Sequence, residues 1–407
     1  MVTRVDGKMT QLRKANDLIK QASEIETDIL KWRREIHAYP ELAFEERRTA
    51  EIILGVLDKL EIGTESGIAK TGIVGRLRGN VEGPTIGFRA DMDALPIQEE
   101  TNLPFSSKVD GVMHACCHDG HVAMLLGAAT LLRKNKSSLM GDVVFVFQPA
   151  EEGQAGAREM ISTGVFERFS IDALFGHHVM PGVVPPECIL GKKGILTANS
   201  DRFSMVIHGR GGHASMPQLA QDPVVAMGSM INGINTIISR NTDPSCPAVV
   251  SIGEASSGSS YNAIPNQALI KGSIRTTDTE TQTLVKKRLF ELTKGISISH
   301  DVEITCQYQE NYPSVSNDPD LTSQALSIAK PFFGKDKVIG KDTPFMFSED
   351  FAFFGQAIPS CFLLLGAKGE YGLHHPAMVF DESVLTKGAA WQAWLALELM
   401  SNLKTKG

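Results

Sequence analysis

Four short apolar runs end in the same kinds of residue, and this repetition constrains the fold more than any other feature of the chain. Thr85-Ile-Gly-Phe-Arg-Ala leads into Asp91-Met-Asp93, and Asp142-Val-Val-Phe-Val-Phe-Gln into Pro149-Ala-Glu151-Glu152. Ile171-Asp-Ala-Leu-Phe-Gly leads into His177-His178, and Ser360-Cys-Phe-Leu-Leu-Leu-Gly is followed closely by His374-His375-Pro376. Each run has the length and composition of a buried strand, and helical patterns lie between them. Strands alternating with helices imply an α/β fold with a mostly parallel sheet covered on both faces. In such sheets ligands gather beyond the carboxyl ends of the strands, which is where these carboxylates and imidazoles would meet.

The densest chemistry lies in Met113-His-Ala-Cys-Cys-His-Asp-Gly-His121, which holds two thiols, three imidazoles and a carboxylate and runs directly into the apolar pattern Val122-Ala-Met-Leu-Leu-Gly-Ala-Ala. Thiolate, imidazole and carboxylate together form a ligand set for zinc, manganese, cobalt or nickel. A structural zinc site usually shows two paired Cys/His clusters. A single dense cluster with further candidates downstream reads instead as a catalytic metal site. Cys116 and His118 are two residues apart and on a loop can turn toward one centre. Of the adjacent Glu151 and Glu152, one can bind metal while the other serves as a general base. Each doubled histidine, His177-His178 and His374-His375, is expected to hold one ligand and one bystander. Asp91 and Asp93 face the same way on an extended segment, and either could orient a histidine ligand.

Between residues 197 and 312 the pattern changes to strand, helix (Pro223 to Arg240), two strands, helix (Glu280 to Gly295) and strand. That β-α-β-β-α-β order is the ferredoxin-like unit, a two-layer α+β domain. The expected organisation is a catalytic domain formed by residues 1–196 and 313–407, with residues 197–312 inserted as a second domain. Helices are expected from about Leu12 to Ile36, ending near Pro40, and through Leu60. In the inserted part, His213 stands among glycines, as suits oxyanion stabilisation from a lid or partner subunit. Asn262 and Arg275 could grip a substrate carboxylate.

The 407 residues suffice for two domains, and 42% hydrophobic and 21% charged residues are ordinary for a globular protein. A formal net charge of -7 argues against nucleic acid or an anionic membrane as the main partner. The opening segment has no apolar core of signal-peptide type, and no uncharged apolar run is long enough to span a bilayer. Six cysteines, two of them adjacent, do not form a disulfide framework pattern. A cytoplasmic setting is expected.

Several motifs stand in order along the chain: His37-x-x-Pro-Glu-Leu, Arg89-Ala-Asp-Met-Asp-Ala-Leu-Pro, Met113-His-Ala-Cys-x-His-Asp-Gly-His, Phe147-Gln-Pro-Ala-Glu-Glu-Gly and His178-Val. Gly211-Gly-His-Ala, Asn262-x-Ile-Pro, Ser348-Glu-Asp-Phe and His374-x-Pro complete them. With them the chain resembles the aminoacylase/carboxypeptidase family of metallopeptidases, in the amidohydrolase branch that holds hippurate hydrolases and indole-acetyl-amino-acid hydrolases. The resemblance implies a catalytic α/β domain with two divalent metal ions, manganese or zinc and sometimes cobalt or nickel, and a smaller domain that dimerises and covers the site. By position it makes Cys116, His118, Glu152, His178 and His374 the metal ligands and Glu151 the base that takes a proton from metal-bound water. It makes His213 an oxyanion stabiliser, Asn262 and Arg275 the grip on the amino-acid carboxylate, and His177 and His375 bystanders. Asp93 joins Glu151 and His213 among the catalytic residues.

The implied activity is metal-dependent hydrolysis of an N-acyl amino acid, a small-molecule substrate, to a carboxylic acid and a free amino acid, by a homodimer or higher homo-oligomer. The alternatives are a carboxypeptidase or dipeptidase on the same site, a non-catalytic binder of amino-acid conjugates, and a redox sensor acting through Cys116 and Cys117. Cys117 stands where the family usually has glycine, so a positive φ there would strain the loop. Gln218 and Phe347 depart from the frequent histidine and glycine.

Overall fold

In the computed structural model, which describes residues 2–404, the strands longer than two residues are, in chain order, β1 (Gly63–Ile68), β2 (Gly72–Leu77), β3 (Thr85–Asp91), β4 (Asp142–Gln148), β5 (Ala173–Val179), β6 (Ile189–Gly191), β7 (Ser200–His208), β8 (Ala248–Ser257), β9 (Gln267–Thr276), β10 (Glu303–Tyr312), β11 (Val338–Gly340) and β12 (Ser360–Leu365). The longer helices are α1 (Val2–Glu24), α2 (Glu26–Ala38), α3 (Arg47–Lys59), α4 (His118–Lys134), α5 (Pro223–Asn241), α6 (Thr279–Ser299), α7 (Pro319–Phe333) and α8 (Ser383–Lys404). The chain divides into two compact units. One comprises Met1–Gly194, Ser316–Asp342 and Asp350–Gly407, the other Ile195–Val315 and Thr343–Glu349. The return to the second unit at Thr343–Glu349 lies within the stretch that periodicity assigns to the first.

The first unit is built on an eight-stranded sheet in the order β1-β2-β4-β3-β5-β12-β6-β11. Its centre, β4-β3-β5-β12, is parallel throughout, so the four runs singled out above are neighbours and end on the same edge. Every residue of β3, β5 and β12 is buried, as expected of strands covered on both faces. The flanks depart from the parallel pattern, since β1, β2 and β4 pair antiparallel and β6 runs antiparallel to β12.

Helix α4 carries small and apolar residues around nearly its whole circumference and is buried along most of its length, the pattern of a helix inside a core. Gly127 makes this possible, because a Cβ there would lie 2.8 Å from both Ala389 of α8 and Ile29 of α2. The single helix expected from Leu12 to Ile36 is two, broken at Ile25, whose backbone leaves the helical region at φ -110°. The apolar spacing continues through the break, so periodicity cannot reveal it. Tertiary packing separates the halves, with α1 lying against α7 and α8, and α2 against α4.

The second unit is a four-stranded antiparallel sheet, β8-β9-β7-β10, with α5 and α6 supplying its helical layer. Its core joins Phe203, Met205 and Ile207 of β7 to Ala226, Met230 and Ile234 of α5 and to Val285 and Leu289 of α6. Both helices start where their caps dictate. The Asp222 carboxylate accepts from Val224 N–H ahead of Pro223 in the first turn, and the Asp278 carboxylate accepts from Thr281 N–H.

Gly176 in the middle of β5 sits where a Cβ would meet Phe362 at 2.4 Å and Phe351 at 2.8 Å. Gly176→Ala is therefore expected to overpack this layer and lower stability by about 1–3 kcal/mol, measured by urea denaturation. Wild-type stability would show that the two rings can move aside.

Candidate metal centre

The ends of the four parallel strands, together with the loop before α4, bring the chemistry to one place. The Cys116 Sγ lies 3.5 Å from His178 Nε2, and Cys116, His118 and His178 present ligand atoms within 4.8 Å of one another. A second such group is Cys116, Glu152 and His374, and a third is His118, Glu151 and Glu152. The thiol is shared by the first two groups. His374 Nε2 lies 3.2 Å from Glu152 Oε1.

Local structure aims each group. His118 Nδ1 donates to the Asp93 carbonyl at 2.8 Å, which leaves its Nε2 as the ring atom a metal could take. That atom is buried and has no hydrogen-bond partner. His178 Nδ1 donates to the Val179 carbonyl at 2.8 Å, so this ring also turns its Nε2 inward. The Asp93 carboxylate accepts from the backbone N–H groups of Glu151 and Glu152 at 3.0 and 2.9 Å. One aspartate thus sets a histidine through its carbonyl and two glutamates through its side chain. Glu151 Oε1 accepts from Asp350 N–H at 3.3 Å.

Strand alternation separates the first histidine pair. His177 points to the other face of β5, where its Nε2 accepts from Trp391 Nε1 at 2.8 Å, and burial brings its pKa down to about 3. In the second pair, His375 accepts from Ala377 N–H and stacks on Tyr371 with ring centroids 4.4 Å apart.

Three left-handed, non-glycine residues sit at this cluster: Cys117 at φ 66°, Ala150 at φ 57° and His374 at φ 64°. Each such residue costs about 1–2 kcal/mol, and strain of this kind collects where surrounding structure enforces a functional geometry. Cys117 takes the positive φ that the family's glycine would allow, and its side chain is buried in the core.

The donor set fits divalent metal. Burial and the neighbouring Glu152 and Glu151 carboxylates push the Cys116 thiol well above its ordinary range. Burial opposes charge on His118, but Asp91 and Asp93 outweigh it and carry the imidazole up to about 10. Carboxylates thus crowd a thiol and an imidazole that both hold their protons, and a divalent cation that displaces those protons relieves the arrangement.

The support beneath α4 was not legible as a function. Asp119 Oδ2 accepts from Arg33 Nε at 2.8 Å and from His37 Nδ1 at 2.7 Å, while His37 Nε2 reaches Glu99 at 3.2 Å. A buried imidazole with a carboxylate at each nitrogen donates from both, so His37 is held charged. Burial opposes that charge, but the contact with Asp119 raises its pKa. Glu46 is a further support that no motif marks. Its carboxylate accepts from Ala150 N–H at 2.9 Å and from the Thr71 hydroxyl, and burial raises it to about 7.

In the second unit, His213 and Asn262 are brought together, since Gly212–His213 pairs with Ala263–Ile264 and Ala214 N–H donates to the Asn262 carbonyl. His213 Nδ1 accepts from Ser215 N–H at 3.2 Å, which leaves its exposed Nε2 as the donor. Arg275 lies on β9, half-buried, and donates to the Ser348 hydroxyl at 2.6 Å. Burial and Arg202 lower its pKa. It has no carboxylate partner among the described residues.

A parallel α/β sheet whose strand ends gather a thiol, imidazoles and paired carboxylates defines a metal-dependent hydrolase. The chain belongs to peptidase family M20/M25/M40, whose description matches residues 87–398. It is 40% identical to the hippurate hydrolase of Campylobacter jejuni over 94% of this chain and 100% of that one. It is 40% identical to an N-acetylcysteine deacetylase of Bacillus subtilis over 93% of this chain and 98% of that one. A crystal structure of a dinuclear metal-binding M20 peptidase from Bacillus subtilis superposes with a TM-score of 0.81 at 36% identity, covering 93% of this chain and 99% of the other.

Glu99 supplies a pH test of the α4 support. Burial raises its pKa, but hydrogen bonds from His37, Thr101 and the Ser107 backbone outweigh burial and bring it to about 2 from an ordinary 4.5. A depressed carboxylate contributes stability that is present above its unfolded pKa and lost as pH falls through its folded one. Stability should therefore decline between about pH 4.5 and 2, and Glu99→Gln should flatten that part of the profile. Identical acid-unfolding curves for the two proteins would refute it.

Proposed function

We propose that the chain hydrolyses N-acyl amino acids to a carboxylic acid and a free amino acid. The observation that carries this reading is the convergence of Cys116, His118 and His178 with Cys116, Glu152 and His374, beside Glu151. Relatives that act on hippurate and on N-acetylcysteine support the substrate class. Held by Cys116, His118, Glu152, His178 and His374, two divalent cations, zinc or manganese, would supply Lewis acidity to the carbonyl and to the attacking water.

Glu151 takes the proton of that water. Asp93 fixes its backbone and Asp350 N–H its carboxylate, and Glu151 delivers the proton to the leaving nitrogen as the amide bond breaks. In the second unit His213 donates from Nε2 to the developing oxyanion, and Asn262 and Arg275 hold the carboxylate of the amino-acid half. The guanidinium of Arg275, which has no carboxylate partner among the described residues, supports that assignment. A ligand thiol must stay reduced, which supports a cytoplasmic setting.

The second unit also serves for dimerisation in this reading. β8 is an edge strand of ten residues with Val249 exposed, and α5 exposes Val224 and Val225. An open edge beside apolar side chains favours isologous pairing of two copies. Light scattering should give twice the 44.2 kDa chain mass, and a monomer at micromolar concentration would refute the assignment.

The direct test is hydrolysis of acetyl, benzoyl and indole-acetyl amino acids and a few dipeptides by chelator-stripped protein, with and without Zn2+ or Mn2+. Metal-dependent release of a free amino acid is expected, and bound metal without turnover on any substrate would overturn the reading. Glu151→Gln should keep its metal while kcat falls about 10²–10⁴-fold. Arg275→Ala should raise KM for substrates with a free carboxylate and leave their methyl esters unaffected.

A further inference from the structure

His121 completes the motif around the candidate metal centre, yet it has no role in the reaction described above. It lies with Asp91 and His118 in a buried group whose ligand atoms are within 4.8 Å of one another, so a third ligand set is one reading of it. Its hydrogen bonds oppose that reading. Val179 N–H donates to His121 Nε2 at 2.9 Å, which occupies the lone pair a metal would need. The ring proton therefore sits on Nδ1 and is donated to Asp91 Oδ1 at 2.6 Å. Asp91 Oδ2 in turn accepts from Arg89 Nη1 at 2.6 Å.

The place where this happens explains why a side chain is needed. β3 pairs with β5 only as far as Arg89 opposite Gly176. Met180 N–H points the other way and donates to the Leu365 carbonyl of β12. Peptide groups alternate sides along a strand, so Val179 N–H faces the edge that β3 has already left. Without His121 it would be a buried donor with no partner, which costs about 1–3 kcal/mol. The Val179 carbonyl is also the acceptor that orients His178 through Nδ1, and the His121 and His178 rings meet edge-on with centroids 4.5 Å apart.

We propose that His121 is a positioning residue that stands in for the missing strand partner of Val179 and thereby fixes the backbone of Val179, the residue whose carbonyl aims His178 Nε2. The chain of bonds runs from Arg89 to Asp91, His121, Val179 and His178. It rests on the proposed reading of His178 as a metal ligand, but its structural half, the capture of Val179 N–H, does not.

Three variants separate the contacts. His121→Gln places an amide oxygen at the height of Nε2, within reach of Val179 N–H. His121→Asn places its amide at the height of Nδ1 and keeps only the bond to Asp91, and His121→Ala keeps neither. Zn2+ affinity by competition with a chromophoric chelator, zinc content by elemental analysis, and hydrogen exchange of the metal-free protein over the peptide containing Val179 are the readouts. The Gln variant should keep wild-type Zn2+ affinity. The Asn and Ala variants should lose about 10–100-fold, the usual effect of removing a group that supports a ligand, and their Val179 peptide should exchange faster than that of the Gln variant. Wild-type affinity in the Asn and Ala variants would overturn the proposal. So would a Gln variant as weak as Ala, because the ring would then be a ligand itself. If the wild-type protein takes up no Zn2+, the metal reading fails, and the exchange data decide this one alone. Faster exchange in Asn and Ala than in Gln upholds the capture of Val179, and equal exchange in all three removes it.

Discussion

The buried Arg89 guanidinium is the interaction on which the rest of the first unit depends. It donates from Nε to Gln148 at 2.7 Å, from Nη1 to Asp91 at 2.6 Å and from Nη2 to Asp350 at 3.0 Å. Both ion pairs are almost entirely out of water. Burial raises the Asp91 carboxyl, but Arg89, His118 and His121 outweigh it and hold it well below its ordinary range. Taking ions out of water costs several kcal/mol each, and losing one partner of such a pair typically costs about 3–5 kcal/mol. An arrangement with that much at stake has one geometry. Asp350, fixed by Arg89, Gln148 and Ala157 N–H, presents its own N–H to Glu151, so one arginine reaches both Glu151 and, through Asp91, the strand that carries His178.

Geometry at the candidate metal centre is held by the backbone as much as by side chains. Asp93 holds two successive N–H groups, Glu46 holds a third, and carbonyls of Asp93 and Val179 set two imidazoles. The left-handed residues Cys117, Ala150 and His374 each adjoin or form part of the cluster. Strain at these positions is sustained by the surrounding buried network, consistent with a site assembled before any ligand arrives. The second unit follows a different logic, with an ordinary antiparallel core and its functional candidates, His213, Asn262 and Arg275, on loops and strand ends.

Much of this was legible from the chain. β4 was read to the residue, and the two helices of the second unit start within a residue of expectation, at Pro223 and Thr279, because helical periodicity is local. The cluster residues stood out because thiols, imidazoles and carboxylates rarely follow buried strands without a reason. The break at Ile25 was hidden because apolar spacing continues across it. The strands β6 and β11, only three residues each, carry too little periodicity to register. Glu46, Arg33 and Gln148 look like any surface or strand polar residue until their partners, far away in sequence, are known.

The sequence by itself determined the parallel core, the ferredoxin-like order of the second unit and the identity of the residues that cluster, since these follow from periodicity and ligand chemistry within short windows. It did not determine which nitrogen of each histidine is free, which face of β5 His178 occupies, or that Thr343–Glu349 returns to the second unit. Those depend on register and on pairings such as Arg89 with Asp350, 261 residues apart. A buried polar group finds its partner only when the whole fold has brought the two together, and no local pattern in the chain encodes that meeting.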